Sequence, residues 1–211
     1  MNDHADEGRA RPSVETAANL CENLPMTRAD TKSAFEAKLL RPAEPGEGGA
    51  WAFVVLPKAA SAKLPRRGRI TVHGTLNGRK FTALLEPDGQ KSHWLRIDAK
   101  LLKASGAAFG DVARFELQAA EPEPEPQVPA DLLQALRAAP EARAVWDATT
   151  TIARLDWIHW ITTAKQAKTR AKRIRDACEM LAAGEKRVCC FDTSGFYSKA
   201  LRAPEVAGES G

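Results

Sequence analysis

The chain has 211 residues, 44% of them hydrophobic and 27% charged, with a formal net charge of +4. That length holds one large domain or two small ones, either with a real core. No apolar run nears the roughly 20 residues that span a bilayer, and a modest basic surplus can steer anionic partners without naming one.

Residues 1–32 open with MNDHADEGRARPSVETAANL. They are polar and aperiodic and are expected to be disordered; they lack the basic-then-apolar pattern of a secretory signal, so a cytoplasmic protein is expected. Met26 is a candidate alternative start. Cys21 and Cys178 stand alone, Cys189 and Cys190 are adjacent, and His4, His73, His93 and His159 lie far apart. No pair has metal-ligand spacing, so no metal or cofactor is expected, and structural thiols in a reducing compartment are the plain reading.

Strand signals begin at residue 33. AFEAKLL (34–40), WAFVVL (51–56), RITVHGTL (69–76), RKFTALLE (79–86), SHWLRI (92–97) and DVARFELQ (111–118) are short and rich in β-branched or aromatic residues. Asn77–Gly78 predicts a two-residue hairpin turn with positive φ at both positions, and Asp88–Gly89 a longer one. In DAKLLKASG (98–106), Asp98 can cap a short helix that Gly106 ends. Six strands and one helix in residues 33–120 predict an antiparallel barrel, because closure removes exposed edges. This region carries 14 basic and 8 acidic side chains, whereas residues 121–211 carry 13 of each.

EPEPEPQVP (121–129) can form neither helix nor central strand and reads as a semi-rigid linker. Beyond it the period becomes helical, predicting a small helical domain at 130–201 and a disordered tail at 202–211. Helices are expected over 130–139, 141–148, 151–165 and about 168–183, the last ended by Gly184. Phe191, Phe196 and Tyr197 make the stretch at 186–201 too aromatic to be free in solution. The fold class is therefore α+β: an antiparallel barrel of about six strands, then helices.

DLLQALRAAPEARAVWDATT, WIHWITTAKQAKTRAKRI and CCFDTSGFYSKAL together resemble the YdeI/OmpD-associated family of bacterial proteins, also labelled bacteriocin-protection proteins. FEAKLL, WAFVVLP, RGRITVHGTLNGRKF and FGDVARFEL resemble the uncharacterised β-barrel domain that commonly precedes that module. The resemblance covers residues 33–201 and supplies no catalytic residues; its name implies a link to stress or antimicrobial-peptide resistance. The step LLKASGAAFGDVARF is also similar to the split barrels of AbrB-like DNA-binding regulators.

Two basic clusters are the candidate ligand sites. Lys165, Lys168, Lys172 and Arg175 share one side of the last helix, where they form either a phosphate-tracking stripe or a solvated face. The solvated face is favoured, since no aromatic side chains interleave with the basic ones. Ala167, Ala171, Ile174, Cys178 and Leu181 form the opposite, apolar arc. Arg170 lies at its edge and, with Thr169 as N-cap, reads as a structural anchor, as does Trp157. Arg66, Arg67 and Arg69 in KLPRRGR offer the better anion site, on a loop before a strand. PGEGGAWAF lacks the Lys-Ser/Thr and the helix of a phosphate loop. Ser194 has no elbow motif, and a lone histidine in a strand, such as His73 or His93, reads as structural. The function expected is a non-enzymatic binding module with an anionic or peptide partner, received between barrel and helices. The alternatives are a nucleic-acid-associated protein and an enzyme whose site converges only in the fold.

Overall fold

Alternation builds the first core. In the computed structural model, which describes residues 31–44, 46, 50–188 and 201–208, six strands form one antiparallel sheet. They are β1 (Ser33–Lys38), β2 (Ala52–Val55), β3 (Ile70–Leu76), β4 (Arg79–Pro87), β5 (His93–Ile97) and β6 (Val112–Ala119), ordered β1-β6-β3-β4-β5-β2. Leu40 and Phe53 exchange two backbone hydrogen bonds of 2.9 Å, which join the two ends of the sheet into a nearly closed barrel. Ala52, Val54, Ile70, Val72, Leu76, Leu95, Ile97, Phe115 and Leu117 point inward and are almost fully buried, as a period of two requires.

Gly74 sits on the inward row, opposite Phe81 of β4 and Leu117 of β6. A Cβ there would lie 2.5 Å from the Glu116 carbonyl oxygen and 2.6 Å from a Leu117 methyl. The neighbouring side chains occupy the space the glycine leaves. Asn77 and Gly78 have φ of 47° and 82° and turn the β3–β4 hairpin as expected. Helix α2 (Ala99–Ser105) is capped by the Asp98 carboxylate, which accepts from the Leu101 N–H at 2.7 Å, and ends at left-handed Gly106. A further helix, α1 (Lys58–Ala62), was not signalled by the sequence: its five residues are too few for a period, and Pro57 offers no side-chain cap.

The second core belongs to α3 (Ala130–Ala138), α4 (Pro140–Asp147), α5 (Thr151–Thr162) and α6 (Ala167–Ala182). Leu132, Leu136, Trp146, Trp157, Ile161, Ile174, Ala177 and Leu181 fill it, and it shares no residue with the barrel core. Trp157 is fully buried, and Trp160 meets it edge-on at 6.0 Å. The α6 start differs from expectation. Gln166 is the N-cap, without a side-chain bond, and Thr169 lies inside the helix. The buried arc is correspondingly Ile174–Ala177–Leu181, whereas Ala167 and Ala171 face solvent. Gly184, at φ 90°, closes the end, where its N–H bonds the Leu181 carbonyl and that of Glu185 bonds Met180.

The Glu/Pro segment is tied at both ends. Glu123 accepts the Thr71 N–H and pairs with Arg66 of the barrel, while Glu125 accepts from Arg154 at 2.7 Å and from Thr151 of α5. The chain near its C-terminus also returns to the barrel. Ala43 N–H donates to Glu205 O, and Ala207 N–H to Arg41 O, both at 2.8 Å. These two main-chain bonds, at Glu205 and Ala207, do not depend on side-chain polarity. No described helix is long and apolar enough to cross a membrane. The expectations for residues 1–30, Met26, Cys21, Cys189, Cys190, Ser194, Phe191, Phe196 and Tyr197 lie outside the described residues.

Candidate partner-binding groove

Because Ala52 and Val54 turn into the barrel, alternation turns Trp51 and Phe53 outward. Yet these two are only 7% and 1% exposed. They form a cluster with Trp94, its ring centroid 6.5 Å from Trp51 and 6.4 Å from Phe53. The Arg96 guanidinium lies 4.3 Å from the Trp51 ring centroid. On one side of Trp51 is a cavity of about 570 Å³ walled by Arg41, Pro42, Ala50, Phe109 and Ala207. Arg41 stacks 4.5 Å above the Phe109 ring. On the other side a more polar hollow of about 410 Å³ is bordered by Glu44, Lys165, Arg202 and Glu205. Trp51 and Ala43 border both. Aromatic walls with stacked guanidinium groups and an ammonium suit an apolar or planar group next to a carboxylate or phosphate.

The joint between barrel and helices is polar. Arg69 is 3% exposed, 3.2 Å from Asp156 of α5 and 3.8 Å from Glu86 of β4. His159, one turn on from Asp156, places Nδ1 3.7 Å from the same Glu86 carboxylate. Burial, with Arg69 and Arg173 adding repulsion, pulls the imidazole down to about 3, so it stays neutral at physiological pH. Burial raises the Glu86 carboxyl despite the opposing pull of Arg69 and Arg96. This explains why α5 is covered on both sides: one face fills the helical core and the other meets the barrel.

Ser61 and His93 converge from α1 and β5. Ser61 Oγ lies 2.8 Å from Nδ1, while Nε2 lies 3.1 Å from the Gly68 carbonyl, which can only accept. The Nε2–H tautomer follows, with Ser61 donating to Nδ1. Both side chains are buried, Ser61 to 1% and His93 to 0% exposure, and the hydroxyl is closed off from solvent. Burial also lowers the His93 pKa. His73 bonds Thr82 at 2.9 Å on an open face of β3, β4 and β6 that also includes Phe81 and Leu117.

The structure separates the expected site residues. Arg66 donates to Glu123 and to the Arg69 carbonyl, Arg67 donates to the Lys91 carbonyl at 2.8 Å, and Arg69 lies inside the joint. The arginine-rich loop thus fastens the linker, the β4–β5 turn and α5. Lys168, Lys172 and Arg175 are exposed on α6, with Lys172 bonded to Asp176 at 2.6 Å. Lys165 alone of that group borders the Trp51 groove. Arg170 grips Asp131 of α3 with two bonds, 2.7 and 3.0 Å. Arg173 binds the Trp160 carbonyl and stacks 5.4 Å over that ring, tying the end of α5 to α6. Arg41, Trp51, Arg96, Phe109 and Arg202 were missed in the sequence; Trp51 at the head of a strand was their only local signal. Among the described residues, no group of three or more His, Cys, Asp or Glu side chains could hold a metal ion.

Comparison with family models gives two matches in chain order. Residues 35–117 match a domain of unknown function (DUF1905), and residues 125–184 match the family described as bacteriocin-protection, YdeI or OmpD-associated. No curated protein matches the chain.

Proposed function

We propose that this chain, which matches the bacteriocin-protection, YdeI or OmpD-associated family over residues 125–184 and domain DUF1905 before it, is a binding protein for an acidic peptide held in the groove at Trp51. One observation carries the reading: Trp51 borders both an aromatic cavity and a polar hollow lined by Lys165, in which Arg202 is already paired with Glu205 at 3.7 Å. An apolar side chain and a neighbouring carboxylate of one ligand can thus be met together. The family description, which names protection against bacteriocins, supports a peptide as the partner class. The free thiol of Cys178, held up in pKa by burial, fits the cytoplasm as the compartment.

Labelled peptides pairing one large apolar residue with flanking Glu, and the same peptides with Lys in place of Glu, test the reading by fluorescence anisotropy. The acidic set should bind saturably and lose affinity in Lys165→Glu. Equal binding of both sets, or none, overturns it. Duplex DNA is the control: tight binding with a steep salt slope, near −0.9 per phosphate contacted, would replace the peptide by nucleic acid.

A further inference from the structure

One wall of the groove is a segment of the chain itself. Residues 201–208 run from Leu201, against Gly89 of the β4–β5 turn, to Val206, which forms an antiparallel bridge with Pro42. Two features show how closely the segment is received. It pairs antiparallel with residues 41–43 through the Ala43 N–H···Glu205 O and Ala207 N–H···Arg41 O bonds, both 2.8 Å. At its other end the Leu201 carbonyl lies where a side chain on Gly89 would be, 2.2 Å from the Cβ position. The segment also forms part of the wall of both hollows: Ala207 borders the aromatic cavity, and Arg202, Pro204 and Glu205 border the polar one.

We infer that residues 201–208 are an internal stand-in for the partner, which is an extended peptide that displaces residues 201–208 and adds as a strand to residues 41–43. This rests on the peptide-binding reading above and names its mode. Strand addition takes its affinity from main-chain bonds and its selectivity from the pockets that alternate side chains reach. The internal segment fills those pockets poorly. At the aromatic cavity it presents only the methyl of Ala207, leaving about 570 Å³ open between Trp51 and Phe109. Val206, facing the other way, is 52% exposed. A partner with a large apolar side chain at the Ala207 register buries apolar area that the internal segment does not, and so can compete with a segment favoured by tethering. Its carboxylates would take the place of Glu205, within reach of Lys165.

The probes are two labelled, terminally blocked peptides: residues 201–208, and the same peptide with Ala207→Leu. The proteins are the full chain and its Ala207→Pro variant. Proline removes the donor to Arg41 O while keeping Val206 extended, so it loosens the segment without disturbing its backbone preference. The variant should bind both peptides about tenfold more tightly than the unaltered chain, as expected for loss of one competing hydrogen bond. The Leu peptide should bind more tightly than the Ala peptide to each protein. In the unaltered chain, adding the Leu peptide should speed hydrogen exchange at the Ala207 amide while Ala43 stays protected, a readout that does not depend on the variant folding. Peptide uptake at equal affinity by both proteins, with Ala207 exchange unchanged, overturns internal occupancy and leaves the groove as a binding site. No uptake of either peptide by either protein, together with no binding of the acidic set, overturns both readings.

Discussion

Arg170→Ala separates a fastening charge from a solvated one on the same helix. The guanidinium gives two hydrogen bonds, 2.7 and 3.0 Å, to Asp131. Those bonds join α6 to the first turn of α3, where Asp131 also accepts from the Leu132 N–H. The Arg170 and Asp131 side chains are 29% and 46% exposed, so water screens the pair. Two-pronged geometry places it at the top of the range for surface pairs, about 1 kcal/mol, and loss of the arginine stem adds a few tenths. Lys172 makes a single contact within its own helix, to Asp176 at 2.6 Å, with its side chain 65% exposed. Removing it should cost no more than about 0.5 kcal/mol. The Arg170 hydrogen bond lowers the Asp131 pKa. A lowered carboxylate stabilises the fold above its unfolded pKa and ceases to do so as pH falls through the folded value. Urea denaturation should therefore show Arg170→Ala about 1 kcal/mol below the unaltered chain at pH 7, a gap that narrows below the carboxylate range. If Arg170→Ala and Lys172→Ala have the same small effect, the Asp131 pair does not fasten α3 to α6.

Gly74→Ala should cost about 1–3 kcal/mol in chemical denaturation, because its Cβ meets backbone 2.5 Å away, whereas Gly78→Ala meets no neighbour and costs about 1 kcal/mol through its left-handed backbone, at φ 82°, alone. His159, with a folded pKa of about 3 against an ordinary 6.5, makes the fold lose stability as pH falls from 6.5, since only the unfolded chain takes up the proton. The His159→Gln variant should lose less on acidification, flattening the slope by up to about 1.4 kcal/mol per pH unit between pH 6 and 4; an unchanged slope counts against burial of a neutral ring. We propose that residues 33–120 are an autonomous domain, as their apolar cluster shares no residue with the helical one. That fragment should unfold cooperatively, and a molten fragment would show that the helices complete the barrel.

What sequence could show depended on the range over which each feature is determined. The Asn77–Gly78 turn, the Asp98 cap and the Gly184 stop are written within a few residues, and all three were legible. The strands were legible too, because a barrel filled from inside repeats its pattern every second residue. Arg66 and Arg69 looked like free loop charge because the carboxylates they meet lie 57 and 87 positions away, at Glu123 and Asp156. The groove was harder still. It gathers Arg41, Trp51, Phe109, Lys165 and residues 202–207, and its internal strand is held by backbone bonds that leave no trace in side-chain pattern. Trp157 and Arg170 read as anchors because one is large and apolar and the other lies beside an apolar arc. The error over Thr169 came from treating a residue that often caps a helix as one that must.

The most direct measurement is amide and indole shift mapping of the isotopically labelled chain titrated with the residue 201–208 peptide carrying Ala207→Leu. The account predicts perturbations centred on the Trp51 indole N–H and the amides of Arg41, Ala43, Phe109 and Lys165, with Ala207 shifting toward its displaced state. Perturbations centred instead on Lys168, Lys172 and Arg175, or on Arg66 and Arg67, with Trp51 unmoved, would contradict it.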